Sequence, residues 1–237
     1  MRKQLKTLGS KEFFGDVKQF IRSSHDFYKD KNPEIKTLAR RLHEEYSLSE
    51  FYRVFNRLWK SGYHNERVMA IYALRMYEED FNKETWEFLI PRLKEIKDFD
   101  EAERIGRIIG HIIIKYPNLK REILKINNRR NIYYRRIALS VCFPLINQKD
   151  WEFIFGLIKS RLNDKEENIQ ELIGWLLREI SVKNKTIVKK FVLKNIDMSK
   201  TIFDIVSEDF KELKKVRKLK KLDSGKVSGL SWLKMIG

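Results

Sequence analysis

The chain holds little cysteine, proline, glycine or histidine, and each shortage narrows the possible class of protein. Cys142 is the single cysteine among 237 residues, so no intrachain disulfide can form. It lies among apolar residues, and we expect a buried thiol in a protein of the reducing cytoplasm. Four prolines and ten glycines suit long helices. Four scattered histidines offer no metal-ligand spacing, so we expect neither a metal nor a cofactor.

Long hydrophobic runs are also missing. The N-terminus holds no apolar stretch long enough for a signal peptide, and even the apolar segment 108–114 is interrupted by His111. We therefore expect no membrane span. Neither a phosphate-cradling glycine loop nor a G-x-S-x-G nucleophile elbow occurs. Any chemistry must therefore rest on carboxylates and aromatic side chains.

Positive charge is what the chain has in excess. The formal net charge is +17 and the isoelectric point is about 9.8. Such a charge favours a polyanionic partner, with nucleic acid first, although a solvated basic surface without a partner is the alternative. Charge alone does not distinguish DNA from RNA or from an anionic membrane. With 42% hydrophobic residues the chain can bury a core, which excludes disorder.

The apolar pattern is helical along nearly the whole sequence and predicts successive short helices joined by brief turns. The predicted helices are 11–22, 34–46, 49–60, 64–79, 84–95, 100–116, 118–127, 131–144, 150–160, 166–181, 184–194 and 208–221. A helix pair every 35–45 residues or so is typical of HEAT-like repeats. We therefore predict an all-α fold, an α-solenoid with a concave basic face, with a compact irregular bundle as the alternative. Residues 1–222 would form one domain and 223–237 a flexible tail.

The stretch KELKKVRKLKKL, from Lys211 to Leu222, is basic and amphipathic. It would contact phosphates, lie on an anionic membrane surface, or be a solvated helix end. The pattern leaves these alternatives open.

The segment NIQELIGWLLREIS, residues 168–181, predicts an amphipathic helix with an unusual flank. Its apolar stripe follows helical spacing and consists of Ile169, Leu172, Ile173, Leu176, Leu177 and Ile180. Trp175 is off this stripe, and Arg178 follows three residues later, within side-chain reach. An indole beside a guanidinium forms a stacking surface. The alternative is that Trp175 packs against a neighbouring helix.

Two further helix faces stand out. In NIYYRRIALS, Tyr133, Arg136 and Ser140 recur at i, i+3 and i+7. In FDEAERIGRIIG, Glu103 shares a side with Gly106 and Gly110. Glycine costs a helix about 1 kcal/mol relative to alanine, so the pair indicates close approach of a ligand or of another helix. Glu103 can also pair with Arg107 at i+4.

Four segments together resemble a known family. They are FYKDKNPEIKTLA (27–39), LWKSGYHNERVMAIYAL (58–74), NIYYRRIAL (131–139) and IGWLLREIS (173–181). In this order they resemble the AlkD-type family of DNA alkylation repair proteins, which are HEAT-like-repeat DNA glycosylases and their relatives. The resemblance implies that duplex DNA is held on a concave basic face. It further implies hydrolysis of the N-glycosidic bond of cationic alkylpurines such as 3-methyladenine and 7-methylguanine. We expect the protein to be a monomer.

The resemblance also implies site residues. Trp175 and Arg136 match the family's second Trp and its Arg. The family's W-D-x-V-D resembles FDEAE, where Phe99 replaces Trp and Glu103 replaces the second Asp. The expected catalytic carboxylate is Glu103, with Asp100 as its competitor, although Asp100 at the helix start suits an N-cap. The expected DNA contacts are Trp175, Arg178, Arg136, Tyr133, Phe99 and Arg107.

These departures leave other functions open. Tyr133 stands where the family has Trp, and glutamate carries its charge one methylene further than aspartate. A shift of about 1 Å can cost roughly a hundredfold in rate. The alternatives are a non-catalytic DNA-binding protein for damaged or branched DNA and a HEAT-like protein-interaction module.

Overall fold

The computed structural model describes residues 33–223, and within them every regular element is a helix. The α-helices are α1 (Pro33–Glu45), α2 (Leu48–Trp59), α3 (His64–Arg75), α4 (Lys83–Leu89), α5 (Phe99–Lys115), α6 (Lys120–Asn127), α7 (Ile132–Ser140), α8 (Cys142–Asn147), α9 (Trp151–Lys159), α10 (Glu167–Lys183), α11 (Lys185–Lys194), α12 (Lys200–Ser207) and α13 (Lys211–Asp223). Short 3₁₀ helices occupy Glu78–Asp80, Ile90–Glu95 and Pro117–Leu119. The all-α prediction is confirmed for this part of the chain. The helix predicted at 11–22 lies outside the described residues, as does the predicted tail apart from Asp223.

The chain divides into two compact units, Met1–Tyr116 and Pro117–Gly237. The boundary falls between the helices predicted at 100–116 and 118–127. A single domain over 1–222 stays a prediction. No helix in the described range is long and apolar enough to cross a bilayer.

In the first unit, α3 packs against α1, α2 and α5, and α4 packs against α5. Tyr77, just after α3, stacks on Phe51 of α2 with ring centroids 5.0 Å apart. Its buried hydroxyl donates hydrogen bonds to the carbonyl oxygens of Leu42 and Tyr46, at 3.1 and 2.9 Å. The aromatic core therefore connects the end of α1 to the end of α3, and α3 in turn packs against α5.

In the second unit, α10 packs against α7, α8, α11 and α12. Its predicted apolar stripe is buried throughout, at 2% exposure or less. Gly174 lies where α12 approaches: a Cβ added there would lie 2.8 Å from the Cβ of Ile205. This contact requires glycine at the second position of the IGW motif. Cys142 is buried as expected, and burial raises the pKa of its thiol.

Three of the predicted helices end or divide at other residues in the structure, and one helix of the structure, α12, was not predicted. Pro144 cannot donate to the carbonyl of Ser140, so the helix predicted at 131–144 stops at Ser140 and restarts at Cys142. Pro91 likewise converts the end of 84–95 into a 3₁₀ turn, and the helix predicted at 64–79 ends at Arg75. The sequence pattern did not predict α12. It has only eight residues, and its N-cap is Ser199, whose hydroxyl accepts a hydrogen bond from the Ile202 amide at 3.2 Å.

Candidate functional site

Helix α5 begins at an N-cap that differs from the predicted one. The Asp98 carboxylate accepts hydrogen bonds from the amides of Asp100 and Glu101, at 2.8 and 3.1 Å. The N-cap role predicted for Asp100 is therefore wrong. Asp100 lies in the first turn, and its carboxylate pairs with the Arg104 guanidinium at 2.7 Å. Because Asp98 occupies the cap, Asp100 keeps its side chain on the half-exposed side of the helix.

One side of α5 carries the predicted carboxylates and their partners. At 3.6 residues per turn, Phe99, Asp100, Glu103, Arg104, Arg107 and His111 span an arc of about 140°. All six are half-buried. Glu103 accepts a hydrogen bond from the Arg107 guanidinium at 2.8 Å, as the i+4 spacing predicted. Each carboxylate on this arc therefore has an arginine one turn further along.

The arc borders an open cavity of about 190 Å³. Its lining residues are Ile71, Tyr72 and Arg75 from α3 and Asp100, Glu103, Arg104, Arg107 and Ile108 from α5. The Glu103 side chain is 28% exposed. Two carboxylates and three guanidinium groups thus meet in a half-open space, where an approaching anion can compete for the arginines. Gly106 and Gly110 are buried, which favours helix packing over ligand contact for that side.

The buried side of α5 is held by a network that sequence reasoning missed. The Arg67 guanidinium binds both oxygens of the Glu101 carboxylate at 2.7 Å each, and Glu101 is only 2% exposed. Arg67 also lies 3.7 Å from the Trp59 ring centre, and the Trp59 indole donates to the Glu95 carboxylate at 2.7 Å. Trp59 and Arg67 belong to the LWKSGYHNERVMAIYAL segment, so their signal was read only as resemblance. Through Glu101 this network fixes the start of α5, two residues before Glu103.

In the second unit, Trp175 is 51% exposed. Trp175 is therefore not part of the buried core, because the stripe of α10 faces inward and leaves about half of the Trp175 side chain in solvent. The Arg178 guanidinium lies 5.1 Å from the Trp175 ring centre, a cation–π distance. Arg178 also pairs with Glu208 at 2.8 Å and Asp209 at 3.6 Å. The predicted indole–guanidinium surface is present.

Arg136 reaches the same side of α10. Its Nη1 donates a hydrogen bond to the carbonyl oxygen of Asn168 at 2.8 Å. Asn168 precedes Trp175 by seven residues, which places both on one helix face about 10 Å apart along the axis. The Arg136 guanidinium therefore lies near the N-terminal end of α10, on the helix face that exposes Trp175 further along.

Tyr133 lies half-buried in the first turn of α7, beside the N-cap Asn131, whose side chain accepts from the Tyr133 amide at 2.8 Å. Ser140, the third member of the predicted face, is fully buried. The exposed part of that face is thus confined to Tyr133 and Arg136. Within the described range, no group of three His, Cys, Asp or Glu side chains is arranged to hold a metal.

The family model described as DNA alkylation repair enzyme matches residues 1–204. The chain belongs to this family. Two solved structures share its fold. A predicted DNA alkylation repair enzyme from Enterococcus faecalis has a TM-score of 0.66 at 17% identity, over 84% of this chain and 95% of that one. AlkD2 from Streptococcus mutans has a TM-score of 0.62 at 20% identity, over 83% of this chain and 97% of that one. No curated protein matches.

These similarities confirm the resemblance and the helical-repeat fold predicted from the sequence. All eight predicted site residues of this DNA alkylation repair family member fall inside the matched range. Phe99, Asp100, Glu103 and Arg107 belong to the first unit; Tyr133, Arg136, Trp175 and Arg178 belong to the second. Helix α13 follows the matched range and is an addition to it.

Proposed function

We propose that this family member binds duplex DNA and hydrolyses the N-glycosidic bond of cationic alkylpurines, with 3-methyladenine and 7-methylguanine as substrates. The observation that carries the proposal is the placement of Glu103. Its half-exposed carboxylate borders the cavity between α3 and α5, on the arc that also holds Phe99 and Asp100. The protein would act as a monomer in the cytoplasm.

The chemistry suits a carboxylate without a strong general acid. The bond between C1′ of the sugar and the purine nitrogen breaks, and its electron pair cancels the positive charge of the alkylated ring. The base then leaves neutral, while positive charge builds on the sugar. Glu103 stabilises that charge and orients the water that adds to C1′. The water loses one proton, to the carboxylate and then to solvent, which leaves an abasic site and a free base.

The ion pair with Arg107 fits this role if it opens when DNA binds. A half-exposed i,i+4 pair contributes only about 0.3–0.5 kcal/mol, so little is lost when it breaks. A DNA phosphate accepts charge-assisted bidentate hydrogen bonds from a guanidinium as a carboxylate does, so it can replace Glu103 as the partner of Arg107. Arg107 would then hold the DNA backbone and release the full negative charge of Glu103 toward the sugar.

The second unit offers a DNA-contacting surface of its own. Trp175 offers an open aromatic face for stacking on deoxyribose or on an unstacked base. Arg136, held by the Asn168 carbonyl, lies toward the same side of α10 and would bind a phosphate of the DNA backbone. Tyr133 and Arg178 would extend this contact along the backbone.

Two measurements on the unmodified protein test the proposal. Release of 7-methylguanine from duplex DNA should follow single-turnover kinetics above the spontaneous rate. The affinity for plain duplex should fall steeply with salt, with log K changing by about −0.9 per phosphate contact on a log salt scale. Absence of base release from a protein that binds DNA would overturn the glycosylase proposal. A flat salt dependence would overturn the DNA-binding part.

One observation favours a second candidate, a non-catalytic DNA-binding protein for damaged or branched DNA. Both carboxylates on the α5 arc are paired with arginine, and Phe99 stands where the family motif has Trp. If the Glu103–Arg107 pair persists on DNA, the Glu103 carboxylate exerts only a weak electrostatic field at the sugar. The site then binds DNA without hydrolysing the N-glycosidic bond. Preferential binding to lesion or branched DNA, without base release, would identify this function.

A further inference from the structure

Helix α13 carries a lysine stripe that the proposed site does not use. The stripe consists of Lys211, Lys214, Lys215 and Lys218, all exposed. Their spacing of i, i+3, i+4 and i+7 places them within about 100° of the helix circumference. No described residue pairs with any of the four. The stripe is therefore a concentrated patch of positive charge open to solvent.

The opposite side of α13 is anchored to the second unit. Leu213 is fully buried. The Arg217 guanidinium lies 4.2 Å from the Phe203 ring centre and donates to the Met198 carbonyl at 2.8 Å. Lys220 pairs with Asp197. These contacts fix the rotation of the helix, so the lysine stripe points away from the body of the unit.

We propose that this lysine stripe is an additional binding surface for the phosphate backbone of duplex DNA, outside the part of the chain that matches the family. The inference rests on the proposed DNA-binding function. Four ammonium groups along about 10 Å of helix match the spacing of about three successive phosphates on one strand. The stripe would add affinity without sequence preference and would hold the protein on undamaged DNA.

A DNA backbone fits this surface better than a membrane does. An amphipathic helix that binds a bilayer inserts a wide apolar face into the lipid. In α13 that face is already used: Leu213 is buried, and the Arg217 guanidinium lies over the Phe203 ring. Among the α13 side chains that the structure describes, Leu219 is the exposed large apolar one. Charge without an open apolar face is the pattern of a polyanion site.

The test compares two variants of the full chain with equal loss of charge. In the first, Lys211, Lys214, Lys215 and Lys218 are replaced by Gln, which keeps helix propensity. In the control, four exposed lysines elsewhere in the second unit are replaced by Gln: Lys159, Lys165, Lys183 and Lys190. Affinity for a plain duplex is measured by anisotropy over a fourfold range of salt. Circular dichroism checks that each variant folds, and a Lys-to-Arg version of the stripe should bind like the unmodified protein.

For the stripe variant, we expect the slope of log K against log salt to be shallower by about 2.7 than for the unmodified protein. Across the fourfold salt range, the affinity of the variant should therefore fall roughly fortyfold less than that of the unmodified protein. The control should change the slope much less. An unchanged slope in the stripe variant, or an equal loss in both variants, overturns the inference. So does binding to phosphatidylserine vesicles through the stripe with the DNA slope unchanged. If the unmodified protein binds no DNA, the proposed function itself fails.

Discussion

Arg136 and Asn168 join α7 to the first turn of α10: the guanidinium donates a hydrogen bond of 2.8 Å to the Asn168 carbonyl oxygen. A first-turn carbonyl is already used within the helix, so this is a second bond to the same oxygen. The contact fixes the guanidinium beside the face that exposes Trp175. Arg136 and Trp175, which match the family's Arg and its second Trp, therefore share a surface because Arg136 is bonded to the first turn of α10.

Replacing Trp175 or Arg136 by Ala should weaken base release from lesion DNA more than it weakens binding to plain duplex. The physical reason is that both side chains lie off the core and would contact the nucleotide, while many phosphates share the general binding energy. Single-turnover base release and duplex affinity, measured together, check this. Equal losses in both measurements would assign the two residues to general binding.

The matched control for Trp175 is its neighbour Leu176, which is fully buried on the core stripe. Leu176→Ala should lower the free energy of unfolding by about 2–5 kcal/mol. Trp175→Ala should lower it by less, because half of the side chain is already in water. A loss of stability in Trp175→Ala comparable to that of Leu176→Ala would contradict the exposed placement.

Gly174→Ala should destabilise the protein. The new Cβ would lie 2.8 Å from the Cβ of Ile205 and 2.9 Å from its Cγ2. Overpacking costs about 1–3 kcal/mol, which outweighs the gain of about 1 kcal/mol in helix propensity. The control is Gly156→Ala in α9, where nothing lies within 4 Å of the new Cβ and the propensity gain should appear. Urea unfolding gives both values, and opposite signs are expected. A stabilised Gly174→Ala would refute the contact.

Breaking the Arg67–Glu101 pair should be costly. Removing the guanidinium in Arg67→Met leaves the Glu101 carboxylate buried without its bidentate partner, and such a break costs about 3–5 kcal/mol. The comparison is Lys125→Met, which breaks the pair between Lys125 and Glu122. The Lys125 side chain is 71% exposed, so this substitution should cost under about 1 kcal/mol. Equilibrium unfolding of the two variants measures the difference. Similar losses would show that the Arg67 network does not hold α5.

The stability of the first unit should depend on the protonation of His111. Burial lowers the pKa of His111, helped by Arg75, Lys115 and Arg107 and opposed by Glu78, whose carboxylate lies 2.8 Å away. The unfolded chain therefore binds the proton more readily below a pH of about 6.5, and stability falls as the pH falls through that range.

His111→Gln removes this titration. When the pH is lowered from about 7 to about 5, we expect the free energy of unfolding to fall less in the variant than in the unmodified protein. Urea unfolding at the two pH values checks the difference. An equal or larger loss in the variant would mean that the protonated form of His111 is the one that the fold stabilises.

The pattern of apolar residues was enough to predict most helices and the fold class, because helical spacing of buried residues is a local signal. The stripe of α10 and the outward Trp175 follow directly from it. Helix α12 was missed because its eight residues provide barely two turns, and what stabilises it is packing on α10, seen at Gly174 and Ile205. Packing between distant segments leaves no periodic trace in the sequence.

The site was predicted in part for the same reason. The Glu103–Arg107 pair is an i,i+4 contact and can be read from spacing. The N-cap was misassigned by two residues because Asp98 and Asp100 are both good caps, and only the backbone of the folded helix selects between them. The Arg67–Glu101 pair spans 34 residues, so its geometry depends on how α3 meets α5.

The most direct test of the account is base release from duplex DNA containing 7-methylguanine by the unmodified protein, by Glu103→Gln and by Asp100→Asn. Glu103→Gln should abolish release with nearly unchanged duplex affinity, because the carboxylate acts on charge that develops only in the transition state. Asp100→Asn should retain most of the activity. Full activity in Glu103→Gln, or no release by a DNA-binding unmodified protein, would contradict the account.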